Sequence, residues 1–142
     1  ERVWGSKRFM NYYMICGLGA GFFHLLVQSI EVYSSLGHLI ISESESALVY
    51  PSIGGIAVGA SGAIFGLFTA VAVLFPNTEF MLFFIPIPIK AKYLFVALIL
   101  IDLLMGIANP MGDPIARWAH LGGVVTGWIL LRIYQLDKTR FY

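Results

Sequence analysis

Charge is scarce in this chain. Only 12% of its 142 residues are Asp, Glu, Lys or Arg, whereas an ordinary soluble domain carries about 25%. The formal net charge of +1 gives no basic footprint, so nucleic acid is excluded as a partner. There is one cysteine, Cys16, which rules out both a disulfide framework and a cysteine metal cluster. His24, His38 and His120 lack metal-ligand spacing, and no metal or cofactor is expected. The start of the chain has no short apolar run closed by a small-residue cleavage site, so it does not read as a cleavable signal peptide. What is abundant is apolar: 58% of residues are hydrophobic and 15% aromatic. Such a composition excludes disorder and leaves too little polar side chain to clothe a soluble globule. A lipid bilayer is the surrounding that fits. At about 20 apolar residues per crossing, the length allows one domain of roughly four membrane helices.

The few charges divide the chain. Phe9–Ile30 has none, and neither does Ala47–Asn77, but Pro51, Gly54, Gly55 and Gly59 interrupt the first half of the latter. A helix there is expected from Ser61 to Phe75, ending before Pro76. Tyr93–Asn109 is apolar apart from Asp102, and Trp118–Leu131 is apolar with Pro114 upstream, where proline suits a first helical turn. The reading is an all-α polytopic transmembrane helix bundle forming one domain over residues 1–142. Its spans fall at about 9–30, 61–75, 93–109 and 115–134. Arg2, Lys7, Arg8, Lys90, Lys92, Arg132, Lys138 and Arg140 all fall on one side of this arrangement, and Arg117 is the exception. By the positive-inside rule both termini are cytoplasmic, and the loops after the first and third spans are outside. Asn77–Ile89 is too short and too broken by Pro86 and Pro88 to cross, and is expected to lie along the cytoplasmic interface.

Small residues mark where helices can touch. Gly17, Gly19 and Gly21 lie in the first span, Gly62 and Gly66 in the second, and Gly123 and Gly127 in the fourth. Small-xxx-small spacing lets membrane helices approach closely. Those three spans are expected to pack tightly, and the third, rich in Leu and Ile, loosely.

The second span is short. Fifteen residues rise about 22 Å, against a hydrocarbon core of about 30 Å. With its inner end at the inner interface, Ser61 sits about 8 Å below the outer surface. The chain Gly54–Gly59 must dip in to meet it, which requires a protein-lined or wet cavity. His120, six residues after Pro114, lies about 9 Å deep on the same rise. A serine and a histidine at equal depth can form a nucleophile–base pair. Backbone N–H groups at the helix start can hold an oxyanion. The plain alternative is that Ser61 is an N-cap and His120 an interfacial helix residue.

Gly59-Ala-Ser-Gly-Ala-Ile-Phe-Gly66 resembles the GxSGxxxG block of rhomboid intramembrane serine proteases. Ala119-His-Leu-Gly-Gly-Val-Val-Thr-Gly127 resembles that family's AHxxGxxxG block, and Glu1-Arg-Val-Trp-Gly5 its E-x-x-x-G stretch. All three stand in family order, and the wording of the blocks looks like that of Bacteroidetes-type bacteria. The resemblance implies that Ser61 is the nucleophile and His120 the general base, a dyad with no acid partner. It implies backbone oxyanion donors at Ser61 and Gly59, and Phe65 as the aromatic stacked on the imidazole. Gly62, Gly66, Gly123 and Gly127 would then let the serine and histidine helices meet. The implied reaction is cleavage of single-span membrane proteins near the outer face of the membrane, here a bacterial inner membrane. The third span corresponds to the family's lateral gate.

The family core has six helices, and this sequence matches the last four. A His-x-x-x-Asn oxyanion pair belongs to a helix that is not among them, and His24 and Gln28 do not replace it. The expectation is a fragment of a longer protein, impaired by itself. Asp102 is a charge within the third span, where acids usually face protein or a cavity. It is assigned to packing or the gate rather than to catalysis. Two rivals stand beside the protease: a rhomboid-like pseudoprotease that binds membrane clients without cutting them, and a structural four-helix protein.

Overall fold

The computed structural model describes residues 4–40, 42, 60–82, 85–108 and 117–136. Among these residues four helices and one hairpin follow in chain order: α1 Gly5–Leu36, α2 Ser61–Leu74, β1 Glu79–Leu82, β2 Ile85–Lys90, α3 Ala91–Ala108 and α4 Arg117–Leu136. The architecture is the expected helical bundle. Among the described residues α1 and α3 are long and apolar enough to cross a membrane, and α2 is a shorter apolar helix. The fourteen residues of α2 rise only about 21 Å.

Contacts between small residues fix the sense of each helix pair. A Cβ placed on Gly62 would lie 2.5 Å from Ala20, and one on Gly66 would lie 2.5 Å from Cys16 Sγ. Numbering that rises along α2 therefore falls along α1, and the two are antiparallel. Gly123 abuts the Gly62 carbonyl, and a Cβ on Gly127 would come within 3.0 Å of Gly66. So α2 and α4 run side by side in the same direction. On α3, Gly106 faces Trp118 of α4 and Asp102 meets both Arg117 and His120, which makes this pair antiparallel.

The core of the trio is built on Tyr12, Cys16, Ala70 and Leu131, with Trp4, Leu67 and Tyr134 packed against it. Tyr12 is fully buried, and its hydroxyl lies 2.9 Å from both the Gly66 and Gly127 carbonyl oxygens. One proton is shared between two acceptors, which ties α1 to α2 and α4 together. Tyr12→Phe is expected to cost about 0.6–2 kcal/mol, the worth of an interhelical hydrogen bond in a bilayer. A lowered unfolding midpoint in mixed micelles checks this, and an unchanged midpoint would contradict it. The opposite side of α1 exposes Met10, Met14, Leu18, Phe22 and Leu25, an apolar stripe suited to lipid. On α3 the buried residues are Ala91 and Asp102. Loose packing of this helix was the expectation, and packing was one of the two roles assigned to Asp102.

One element differs from the sequence expectation, and a second takes a form that the expectation left open. Instead of ending near residue 30, α1 continues to Leu36. It stops at Gly37, which takes φ 75° and donates its N–H to the Tyr33 carbonyl at 2.8 Å. The expected span ends at residue 30 because Glu31 follows it, but a helix that leaves the bilayer needs no apolar residues to continue. The segment expected to lie along the cytoplasmic interface forms an antiparallel hairpin, with Glu79 opposite Lys90 and Phe80 opposite Ile89. Pro86 and Pro88 bar a helix, and in a two-stranded ribbon every strand is an edge where proline is tolerated. Ring contact between Phe80 and Phe68 holds the hairpin to α2.

Candidate active site

Ser61 is the first residue of α2. The helix is capped by Ala60, which makes no side-chain cap hydrogen bond. The first rung runs from the Ile64 N–H to the Ala60 carbonyl at 2.9 Å. The N–H groups of Ser61, Gly62 and Ala63 thus have no carbonyl a turn earlier in the helix to bind. The Ser61 side chain is not an N-cap. Its Oγ lies 3.0 Å from Nε2 of His120, across the α2–α4 interface.

The glycines make that distance possible. Ser61 is followed by Gly62, and His120 is followed a turn later by Gly123. Because Gly123 abuts the backbone of Gly62, no side chain separates the two helices where Ser61 and His120 project. Phe65, one turn below Ser61, stacks on the imidazole with ring centroids 4.3 Å apart and planes 7° from parallel. Gly66 and Gly127 continue the close contact below the pair. Gly59 and the dipping segment Gly54–Gly59 lie outside the described residues, and so does Pro114.

No acid partner for His120 was expected, and the structure differs here. Asp102 Oδ2 lies 2.9 Å from His120 Nδ1, and Arg117 Nη1 donates to Asp102 Oδ1 at 3.1 Å. The side chains of Asp102, Arg117 and His120 are all close to nine-tenths buried. A signal for this was present in the sequence. Asp102 lies six residues before the end of α3, about 9 Å along the helix, which is the depth inferred for Ser61 and His120. Arg117, the one cation out of place in the charge map, meets the one acid within a span. The buried Nδ1 of His24 has no hydrogen-bond partner among the described residues. Among the described residues no group of three or more His, Cys, Asp or Glu side chains gathers that could hold a metal ion.

In chemical terms the array is a hydroxyl on an imidazole, the imidazole on a carboxylate, and beside the hydroxyl the first backbone N–H groups of a helix, which lack an intrahelical acceptor. Residues 1–136 match the Rhomboid domain family. Rhomboid protein 1, mitochondrial, of Saccharomyces cerevisiae is 30% identical over 146 residues, covering 96% of this chain and 35% of that relative. The chain spans about a third of the relative's length. No solved structure gives a significant match.

Proposed function

Because the chain belongs to the rhomboid family of intramembrane serine proteases, we propose that it carries the catalytic centre of a serine endopeptidase, with Ser61 as nucleophile and His120 as general base. The Nε2–Oγ distance of 3.0 Å is the observation that carries this reading. His120 Nε2 takes the hydroxyl proton as Ser61 Oγ bonds to the scissile carbonyl carbon. The developing oxyanion is received by the Ser61 N–H, with the backbone at Gly59 as a second donor. The C–N bond breaks, and His120 returns the proton to the leaving amine. Water, deprotonated in turn by His120, hydrolyses the acyl ester.

The substrate is proposed to be a single-span membrane protein. A helical peptide bond is shielded by its own ladder, so small or helix-breaking residues near the cut favour cleavage. The Ser61 end of α2, the Asp102 end of α3 and the His120 end of α4 share one side of the bundle. Lys7, Arg8, Lys90, Lys92 and Arg132 lie at the opposite helix ends, so the positive-inside rule puts the site near the outer face. A bacterial inner membrane is the setting proposed.

Labelling of the full-length protein in liposomes with a fluorophosphonate tests the reading. An adduct on Ser61 is expected, and none is expected on the His120→Ala variant. Labelling that persists in Ser61→Ala would sink the assignment. Client binding without any labelling would instead make the protein a non-cutting binder.

A further inference from the structure

We propose that Asp102 is a positioning residue for His120, making a serine–histidine–aspartate relay of what the family resemblance presents as a dyad. The proposal rests on the serine protease reading above. A neutral imidazole carries one N–H and one lone pair. To accept the Ser61 proton, Nε2 must hold the lone pair, so the N–H must be on Nδ1. The partner of Nδ1 is a carboxylate oxygen at 2.9 Å, and an ionised carboxylate only accepts. Asp102 therefore selects the productive tautomer. It also fixes the ring's rotation, working with Phe65 stacked on its face.

The second carboxylate oxygen is engaged by Arg117 at 3.1 Å, so the ionised form is held by a guanidinium on one side and the imidazole N–H on the other. When Nε2 takes the proton, the imidazolium charge forms against Asp102, in surroundings of low dielectric where the attraction is strong. An acid in a membrane span is costly. On α3 the buried residues are Ala91 and Asp102, and the partners of the Asp102 carboxylate are Arg117 and the base His120.

Asp102→Asn in the full-length protein tests the proposal. An amide presents an N–H to Nδ1 as readily as an oxygen, which stabilises the wrong tautomer. Where an aspartate backs the histidine in serine proteases, this replacement lowers kcat about 10⁴-fold. A fall in kcat of about 10²–10⁴-fold is expected with KM little changed, because Asp102 does not reach the nucleophile or the peptide bond. Nitrogen-15 spectra of the neutral His120 ring in the unsubstituted protein supply a readout independent of folding of any variant. They should show the proton on Nδ1, and the Asp102→Asn protein should shift it toward Nε2. Unchanged kcat in Asp102→Asn, or an Nε2-protonated ring in the unsubstituted protein, would overturn the proposal. If Ser61→Ala and His120→Ala abolish labelling while Asp102→Asn is without effect, only the relay fails. If Ser61→Ala still cuts, the protease reading itself fails.

Discussion

Replacing Ser61 with alanine is expected to bring proteolysis by the full-length protein to background, and adding His120→Ala to that variant is expected to change nothing further. The two side chains meet at 3.0 Å and are proposed to act on one proton, so removing either would remove the same step. In serine proteases built this way, losing the nucleophile or the base alone costs about 10⁶ in kcat, nearly as much as losing the whole set. The alanine is structurally mild. Ala60 already occupies the cap position and the Ser61 hydroxyl makes no cap bond, while alanine is the best helix former. His120 keeps Asp102 at Nδ1, so its ring stays anchored. The measurement is kcat on a single-span substrate in liposomes for both single variants and the double, with unfolding midpoints alongside. Losses that add in free energy would mean that Ser61 and His120 work independently, which the shared proton does not allow.

The helices and the Ser61–His120 pairing were legible because both follow from one-dimensional quantities. Apolar length fixes a span, and rise per residue converts position into depth. The same conversion applied to Asp102 and Arg117 yields their meeting, but a charge map reads each ion by the side on which it falls and not by its partner. An acid inside a span then looks like an anomaly and a cation outside looks like noise, when each accounts for the other. The hairpin was less legible, because a run with Pro86 and Pro88 says what cannot form there and leaves strand pairing to residues such as Glu79 and Lys90, eleven positions apart. Glycine spacing was legible only in part. Gly17, Gly19 and Gly21 form one motif in sequence, but a Cβ on Gly17 would meet Ala63 at 3.5 Å, one on Gly19 would strike Thr126, and one on Gly21 would have none of the described residues within 4 Å. Spacing reports that a face can be smooth, and only packing reports which of its glycines are pressed.

That distinction carries the second large effect. Gly123→Ala is expected to disable the protein, and Gly21→Ala is expected to leave it intact, although each adds one methyl group to a glycine of a small-residue motif. At Gly123 the new Cβ would fall on the carbonyl group of Gly62. The obstacle is backbone, which has no rotamer through which to retreat, so α4 must part from α2. Overpacking of this kind costs about 1–3 kcal/mol in an ordinary core, occasionally more. In lipid there is little hydrophobic gain to hold parted helices in place, since their stability comes from the close fit itself. The separation acts where the chemistry is proposed to occur. Gly62 follows Ser61 directly and Gly123 lies a turn from His120, so parting the helices lengthens the 3.0 Å Oγ–Nε2 distance. A displacement of about 1 Å in a catalytic pair can cost about 10²-fold in rate. At Gly21 a methyl group meets none of the described residues within 4 Å, and exchanging glycine for alanine in a helix contributes about 0.8–1.0 kcal/mol of stability. Fluorophosphonate labelling rate and unfolding midpoint, measured for both variants in the same liposomes, should fall together for Gly123→Ala and hold or rise for Gly21→Ala. If Gly123→Ala lowered the midpoint but labelled at the original rate, the close approach of α2 and α4 would matter to the bundle and not to the spacing of Ser61 and His120.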